Sequence, residues 1–201
     1  YEGGFWGHAG IPREVTATTN WANGVCVSWR EVSTAEKYVV YRSQTPSLFD
    51  MAKIAEVSSC CFNDHDVSIG RNYYYWVCAV NEQGSGDLSD TAVGQCVEPH
   101  VFYVDEKAGW SPYEDWGMGF ADGSAKRPFE FIQYASDAAV PGDIVRVAPG
   151  EYECLIDKPL IIVADEGPEN TFVSNVLLDD WVGVCEERVT LRGFSICGGF
   201  D

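Results

Sequence analysis

The run Asn72-Tyr73-Tyr74-Tyr75-Trp76-Val77-Cys78-Ala79-Val80-Asn81 decides how the first half of this chain is read. Side chains alternate between the two faces of an extended strand, so Tyr73, Tyr75, Val77 and Ala79 share one side. Tyr74 and Trp76 then fall on the outward side. Working outward, Val25-Cys26-Val27-Ser28-Trp29 repeats the two-residue pattern, with Val25, Val27 and Trp29 together. Tyr38-Val39-Val40-Tyr41-Arg42, Ile54-Ala55-Glu56-Val57 and Cys60-Cys61-Phe62 follow, separated by Gly, Asn, Asp and Pro. Gly84-Ser85-Gly86 supplies a hairpin turn, and residues 88–97 form the last strand. Seven strands between residues 11 and 98, with no helical period, predict an antiparallel two-sheet sandwich.

Residues 11–98 resemble a fibronectin type III domain. The residues that carry the resemblance are Pro12 ahead of the first strand, Val27-Ser28-Trp29, and Tyr38-x-Val40-Tyr41-Arg42-Ser43. Tyr73-x-Tyr75-x-Val77-x-Ala79-Val80-Asn81 followed by Gly84-x-Gly86-x-x-Ser89 is the most specific stretch. The resemblance implies an extracellular spacer or binding module without catalysis. The five cysteines of this segment depart from the usual pattern of such domains. Residues 1–10 read as an N-terminal extension.

From residue 99 the style changes. Val101-Phe102-Tyr103-Val104-Asp105 is a strand, followed by a Gly- and Trp-rich loop over 109–124. Pro128 opens a short predicted helix with Phe129, Ile132, Ala135 and Ala139 on one face, stopped by Pro141-Gly142. Brief apolar strands follow at 144–148, 155–156, 160–164, 171–174, 181–185, 189–191 and 194–197. They are too short for a sandwich, and no crossover helices separate them. Strands recurring around small turns, each covering the edge of the last, predict a parallel solenoid.

Residues 99–201 look like the capped start of a right-handed parallel β-helix of the pectate-lyase-like type found in secreted bacterial proteins. Tyr103-Val104-Asp105, Asp122-Gly123-Ser124 and Pro128-Phe129-x-x-Ile132-Gln133 carry the resemblance. The block Ala138-Ala139-x-Pro141-Gly142-Asp143-x-Val145-x-Val147-x-Pro149-Gly150-x-Tyr152 is its most diagnostic part. Lys158-Pro159-Leu160 and Val189-Thr190-Leu191-Arg192-Gly193-Phe194-x-Ile196 continue it. It implies an α-helix plugging the first rung and hiding it from edge pairing. About three coils fit before Asp201, near the lower limit for such stacks, so the last rung is expected to need further coils or another chain. The expected fold class is all-β, a fibronectin-III-like sandwich followed by a short parallel β-helix.

The 201 residues carry 13 Lys+Arg against 31 Asp+Glu, a net charge of −18. Residues 99–201 hold −12 of it and residues 1–98 the remaining −6. Such a surface repels phosphate backbones and anionic lipid, which argues against nucleic-acid and membrane-surface partners. No apolar run reaches the ~18–20 residues of a bilayer span. The chain opens at Tyr1 without a Met or a signal-peptide pattern, which reads as a mature product or a fragment.

Eight cysteines stand at 26, 60, 61, 78, 96, 154, 185 and 197, none in C-x-x-C spacing. His8, His65 and His100 form no ligand pattern with them, so no metal site is expected there. Disulfides in an oxidising compartment are one reading; buried, reduced thiols such as Cys60 are the other. With five cysteines in the first half and three in the second, full pairing needs an odd number of bridges across the junction. Cys96–Cys154 is the candidate for that bridge. Cys26–Cys61, both outward on neighbouring strands, and Cys185–Cys197 complete the set.

Candidate chemistry is sparse. No catalytic set, phosphate loop or dinucleotide fingerprint stands in the sequence. Asp179-Asp180 beside Trp181 has the carboxylate pairing of a calcium loop, calcium being the one cofactor the sequence suggests; a plain solvated turn is the other reading. Asp64-His65-Asp66 reads as a turn, because strand neighbours point to opposite faces. Arg146, Lys158, Arg188 and Arg192 are spread singly. Trp110, Tyr113 and Trp116, flanked by Glu114 and Asp115, are the candidate carbohydrate-binding residues, since indoles stack on sugar C–H faces while carboxylates take hydroxyls. The same rings could instead pack their loop onto the sandwich.

The expected function is a non-catalytic, secreted or cell-surface bacterial segment for scaffolding, adhesion or glycan contact. One alternative is the first part of a polysaccharide lyase or glycoside hydrolase whose active coils lie beyond Asp201. Another is a filament subunit that self-associates through its uncovered last rung. Expected partners are therefore a polysaccharide or cell-surface glycan, or a second copy.

Overall fold

The computed structural model describes residues 7–108, 120–178 and 189–197. They are all-β apart from one short helix and a 3-10 turn, in two compact units, Tyr1–Glu98 and Pro99–Asp201. No helix among the described residues is long and apolar enough to cross a membrane.

The first unit contains β1 (Arg13–Ala17), β2 (Trp21–Ala22), β3 (Val25–Arg30), β4 (Lys37–Ser43) and β5 (Ala52–Val57). It continues with β6 (Cys61–Asp64), β7 (Asn72–Asn81), β8 (Gly84–Leu88) and β9 (Ala92–Val97). One sheet has the order β1-β3-β6; the other runs β2-β9-β7-β4-β5, with β8 also on β7. Every pair is antiparallel except β2 with β9. Tyr73, Tyr75, Val77 and Ala79 of β7 meet Val25, Val27, Trp29, Tyr38 and Val40 in one core, as their alternation requires. Trp76 departs from its expected outward exposure and is only 2% exposed. Its cross-strand neighbour on β4 is Tyr41.

A charged staple links the two sheets of this unit. Asp64, at the end of β6, accepts from Arg42 Nη1 of β4 at 2.8 and 2.9 Å and from the Tyr75 hydroxyl of β7 at 3.0 Å. Burial lowers the Arg42 pKa, but its hydrogen bonds to Asp64 and the charge there outweigh this and hold it above the ordinary value. Burial, and then the Asp64 charge, push the Tyr75 hydroxyl up. A buried carboxylate persists only when its lone pairs are filled in this way. The Asp64-His65-Asp66 segment is thus a structural corner, with the Asp66 side chain 97% exposed beside Arg42.

The second unit is built of β10 (Val101–Val104), α1 (Ile132–Ala138), β11 (Ile144–Val147) and β12 (Gly150–Ile156). It ends in β13 (Ile161–Ala164), β14 (Thr171–Leu178), β15 (Thr190–Arg192) and β16 (Ser195–Ile196). Two sheets, β10-β11-β13-β15 and β12-β14-β16, are parallel throughout. From β11 onward the chain alternates between them, one strand to each sheet in turn. Like therefore stacks on like: Val145 aligns with Ile162 and Leu191, and Tyr152 with Val173 and Ile196.

The outer edge of β10 is occupied. Tyr103 N–H donates to Gly123 C=O at 2.8 Å, Phe129 N–H to Tyr103 C=O at 2.9 Å, and Asp105 N–H to Phe129 C=O at 2.9 Å. This corrects the expected helix start at Pro128: Phe129 is spent on a bridge to Val104, and the helix begins at Ile132. Ile132 and Ala135 face the core beside Tyr152, Cys154 and Ile156. Extended backbone at Ala139, two residues before Pro141, ends the helix. The following corner is tied by the Asp143 carboxylate, 1% exposed, which accepts from Val140 N–H at 2.7 Å and His100 N–H at 2.8 Å.

Candidate functional site

Alternation along β12 buries Tyr152, Cys154 and Ile156 and turns Glu151, Glu153 and Leu155 outward. The outward face borders a cleft of about 380 Å³ lined by Glu106, Glu130, Phe131, Glu151, Tyr152 and Glu153, among others. Among the described residues, Lys107 is its one cationic lining residue. A second recess of about 290 Å³ shares Glu151 and Tyr152 and adds Phe172, Ser174 and Cys197.

The cleft has a fixed frame. A side chain at Gly150 would put its Cβ 2.6 Å from Glu106 Cδ, so the glycine leaves room for Glu106 against the start of β12. There Glu106 Oε2 accepts from Glu151 N–H, and the Tyr152 hydroxyl oxygen accepts from Glu106 N–H, each at 3.1 Å. Burial pushes the Tyr152 hydroxyl up to about 12, so it stays protonated. Phe131 is the extended residue ahead of α1 and is half exposed. Tyr134 props it edge-on, with ring centroids 5.3 Å apart at 85°. A rigid ring among carboxylates suits binding of a ligand with apolar faces and polar or cationic edges.

The residues singled out from sequence fare differently. Trp110, Tyr113, Trp116, Asp179, Asp180 and Cys185 lie outside the described residues. No disulfide is seen among the described residues, where Cys60, Cys61, Cys78, Cys96, Cys154 and Cys197 are free thiols. Cys26 and Cys61 do sit on the paired strands β3 and β6, but Cys26 opposes Asn63 and Cys61 opposes Ser28. That diagonal offset separates Cα atoms by roughly the 7–8 Å at which a bridge no longer closes. Cys26, moreover, is 3% exposed rather than on an open outward face. Cys96 and Cys154 are both buried, each in the core of its own unit. Burial alone drives the Cys154 thiol up to about 12. Cys197 is exposed and unbridged. Arg146, read as solitary, is paired with Asp165 at 2.7 Å, and Lys158 reaches Ala139 C=O at 3.4 Å.

Sequence reading missed the cleft itself. Its one available signal was Gly150-Glu151-Tyr152-Glu153, where glutamates alternate with a buried ring; the partners Glu106 and Phe131 lie far away in sequence. Among the described residues, no group of three or more His, Cys, Asp or Glu is disposed to hold a metal.

No protein-family model matches the chain, and no curated protein matches it. Similar solved structures are fibronectin type III domains. A Fn3-like protein from Clostridium thermocellum is 26% identical, covering 46% of this chain and 97% of its own, with a TM-score of 0.41. The fibronectin type-III domain of human fibronectin type III domain containing protein 3 is 12% identical, covering 46% and 89%, with a TM-score of 0.41. A further human FNIII domain is 17% identical, covering 45% and 80%, with a TM-score of 0.40.

Proposed function

We propose that the protein is a non-catalytic scaffold or adhesion segment of a secreted or cell-surface bacterial protein, and that its second unit contacts a glycan. In this reading residues 11–98 are a fibronectin-type spacer. Residues 99–201 are the start of a right-handed parallel β-helix, with α1 as its plug. Support for the plug comes from Ile132 and Ala135 in the core and from the backbone bonds that occupy the edge of β10. Support for the coil comes from strands that alternate between two parallel sheets in register.

The observation that carries the glycan reading is the cleft beside β12, where the propped, half-exposed Phe131 ring stands among glutamates. Sugar rings offer an apolar face to such a ring and hydroxyls to the carboxylates. The test is isothermal titration of the chain with a panel of soluble polysaccharides. At least one should bind, and Phe131→Ala should weaken it. A panel without binding leaves only the scaffold role.

A second reading has its own observation: β15 and β16 each pair on one side only among the described residues. A second copy could add there by strand pairing. The outer edge of β10 is already bonded and closed to such pairing, so a contact between like ends, which closes as a dimer, is the form this reading takes. Sedimentation showing dimers in neutral buffer supports it, and a monomer at every concentration removes it.

A further inference from the structure

We propose that the cleft beside β12 selects a glycan built of amino sugars, with a sugar ring against Phe131 and its ammonium groups between Glu130 and Glu151. This rests on the glycan-contact reading above and narrows it to a chemical class.

The carboxylates around the cleft are not equally committed. Glu106 Oε2 holds Glu151 N–H at 3.1 Å, and Lys107 Nζ stands 3.8 Å from Oε1 of the same residue. Glu153 Oε1 accepts from Asn175 Nδ2 at 3.1 Å. The carboxylates of Glu130 and Glu151 have no hydrogen-bond or ion-pair partner among the described residues, yet both line the cleft. They line the cleft together with Phe131, whose ring meets Tyr134 edge-on.

Charge decides against the anionic sugars. A uronic-acid polymer would bring more carboxylates to a cleft that holds four glutamates and one lysine. A neutral glycan would leave Glu130 and Glu151 without counter-ions. An amino sugar supplies ammonium groups for charge-assisted hydrogen bonds to both, and a cation beside the Phe131 face.

Two further features favour a sugar over a basic peptide. A peptide adding as a strand needs free edge groups, and the Glu151 N–H on the edge of β12 is taken by Glu106. Tyr152, 4% exposed and lining both recesses, has its oxygen filled by Glu106 N–H but donates to no described residue. Its hydroxyl hydrogen suits the hydroxyl or ring oxygen of a sugar.

The test is calorimetric titration of the full chain with four probes in mildly acidic, low-salt buffer. They are a β-1,4-linked glucosamine oligomer, its fully N-acetylated counterpart, a galacturonate oligomer and a lysine-rich peptide. The glucosamine oligomer should bind, its acetylated counterpart about tenfold more weakly, and the galacturonate not at all. Glu130→Gln combined with Glu151→Gln should weaken the first by about tenfold and remove most of its salt dependence. Phe131→Ala should weaken both glucosamine forms, and Phe131→Tyr, which keeps the ring, should bind as the parent does. Circular dichroism on each variant separates lost binding from lost fold. Galacturonate binding as tight as glucosamine, or indifference to the two glutamine substitutions, overturns the amino-sugar proposal and leaves glycan contact standing. Equal affinity for the peptide through the same residues overturns it in favour of a basic protein partner. Silence from every glycan overturns the glycan-contact reading as well.

Discussion

Asp64 illustrates how much one residue can carry here. Its carboxylate fills a 3%-exposed position because Arg42, Tyr75 and the Asp66 N–H donate to it. Asp64→Ala would take the buried partner from Arg42 and leave it only the exposed Asp66, and a loss of about 3 kcal/mol in urea unfolding is expected. Phe49, fully exposed, is the control: Phe49→Ala should stay within about 0.5 kcal/mol. Thiol chemistry gives a second residue-scale outcome. With Cys154 buried and pushed up to about 12, almost no thiolate forms in weak base, while Cys197 is exposed. Timed alkylation read by mass spectrometry should modify Cys197 early and Cys154 only on unfolding. Equal rates would contradict the burial of Cys154.

At the scale of elements, the β4–β5 pair carries a surface clip. Glu56 of β5 accepts from Lys37 Nζ at 2.5 Å and from Lys53 Nζ at 2.6 Å. Hydrogen bonding from Lys37, then from Lys53, lowers its pKa from 4.5 to about 2. A depressed carboxylate contributes stability above its unfolded pKa and loses it as pH falls through the folded one, here between 4.5 and about 2. Carbon-detected NMR should give a Glu56 midpoint near the lower value, returning toward the upper one in Lys37→Ala or in high salt. α1 makes a packing forecast. Ile132 is fully buried beneath the parallel strands, so Ile132→Ala should cost about 2–5 kcal/mol. The helix was legible from Pro141-Gly142 and the Ile132/Ala135/Ala139 spacing, but its first turn was not. Phe129 lies at the right spacing for a helix face, and a backbone bridge to Val104 claimed it instead.

At the scale of the whole molecule, the two units have separate cores, Ala9 to Cys96 in one and Val104 to Val176 in the other among the buried described residues. Calorimetry should therefore resolve two transitions, with Ile132→Ala moving one and Asp64→Ala the other. Coincident shifts would mean one cooperative unit. The sequence by itself determined the strands, because burial on one face forces a two-residue alternation that needs no partner to be read, as in Tyr73, Tyr75, Val77 and Ala79. It also determined the change of grammar near residue 99, where short apolar runs replace the alternating ones. Tertiary structure alone decided the pairings that bring distant residues together: Arg42 with Asp64, Cys26 opposite Asn63, and Glu106 beside Glu151. Strand register and stacking order set such contacts, and a local pattern carries no record of which strand lies next to which.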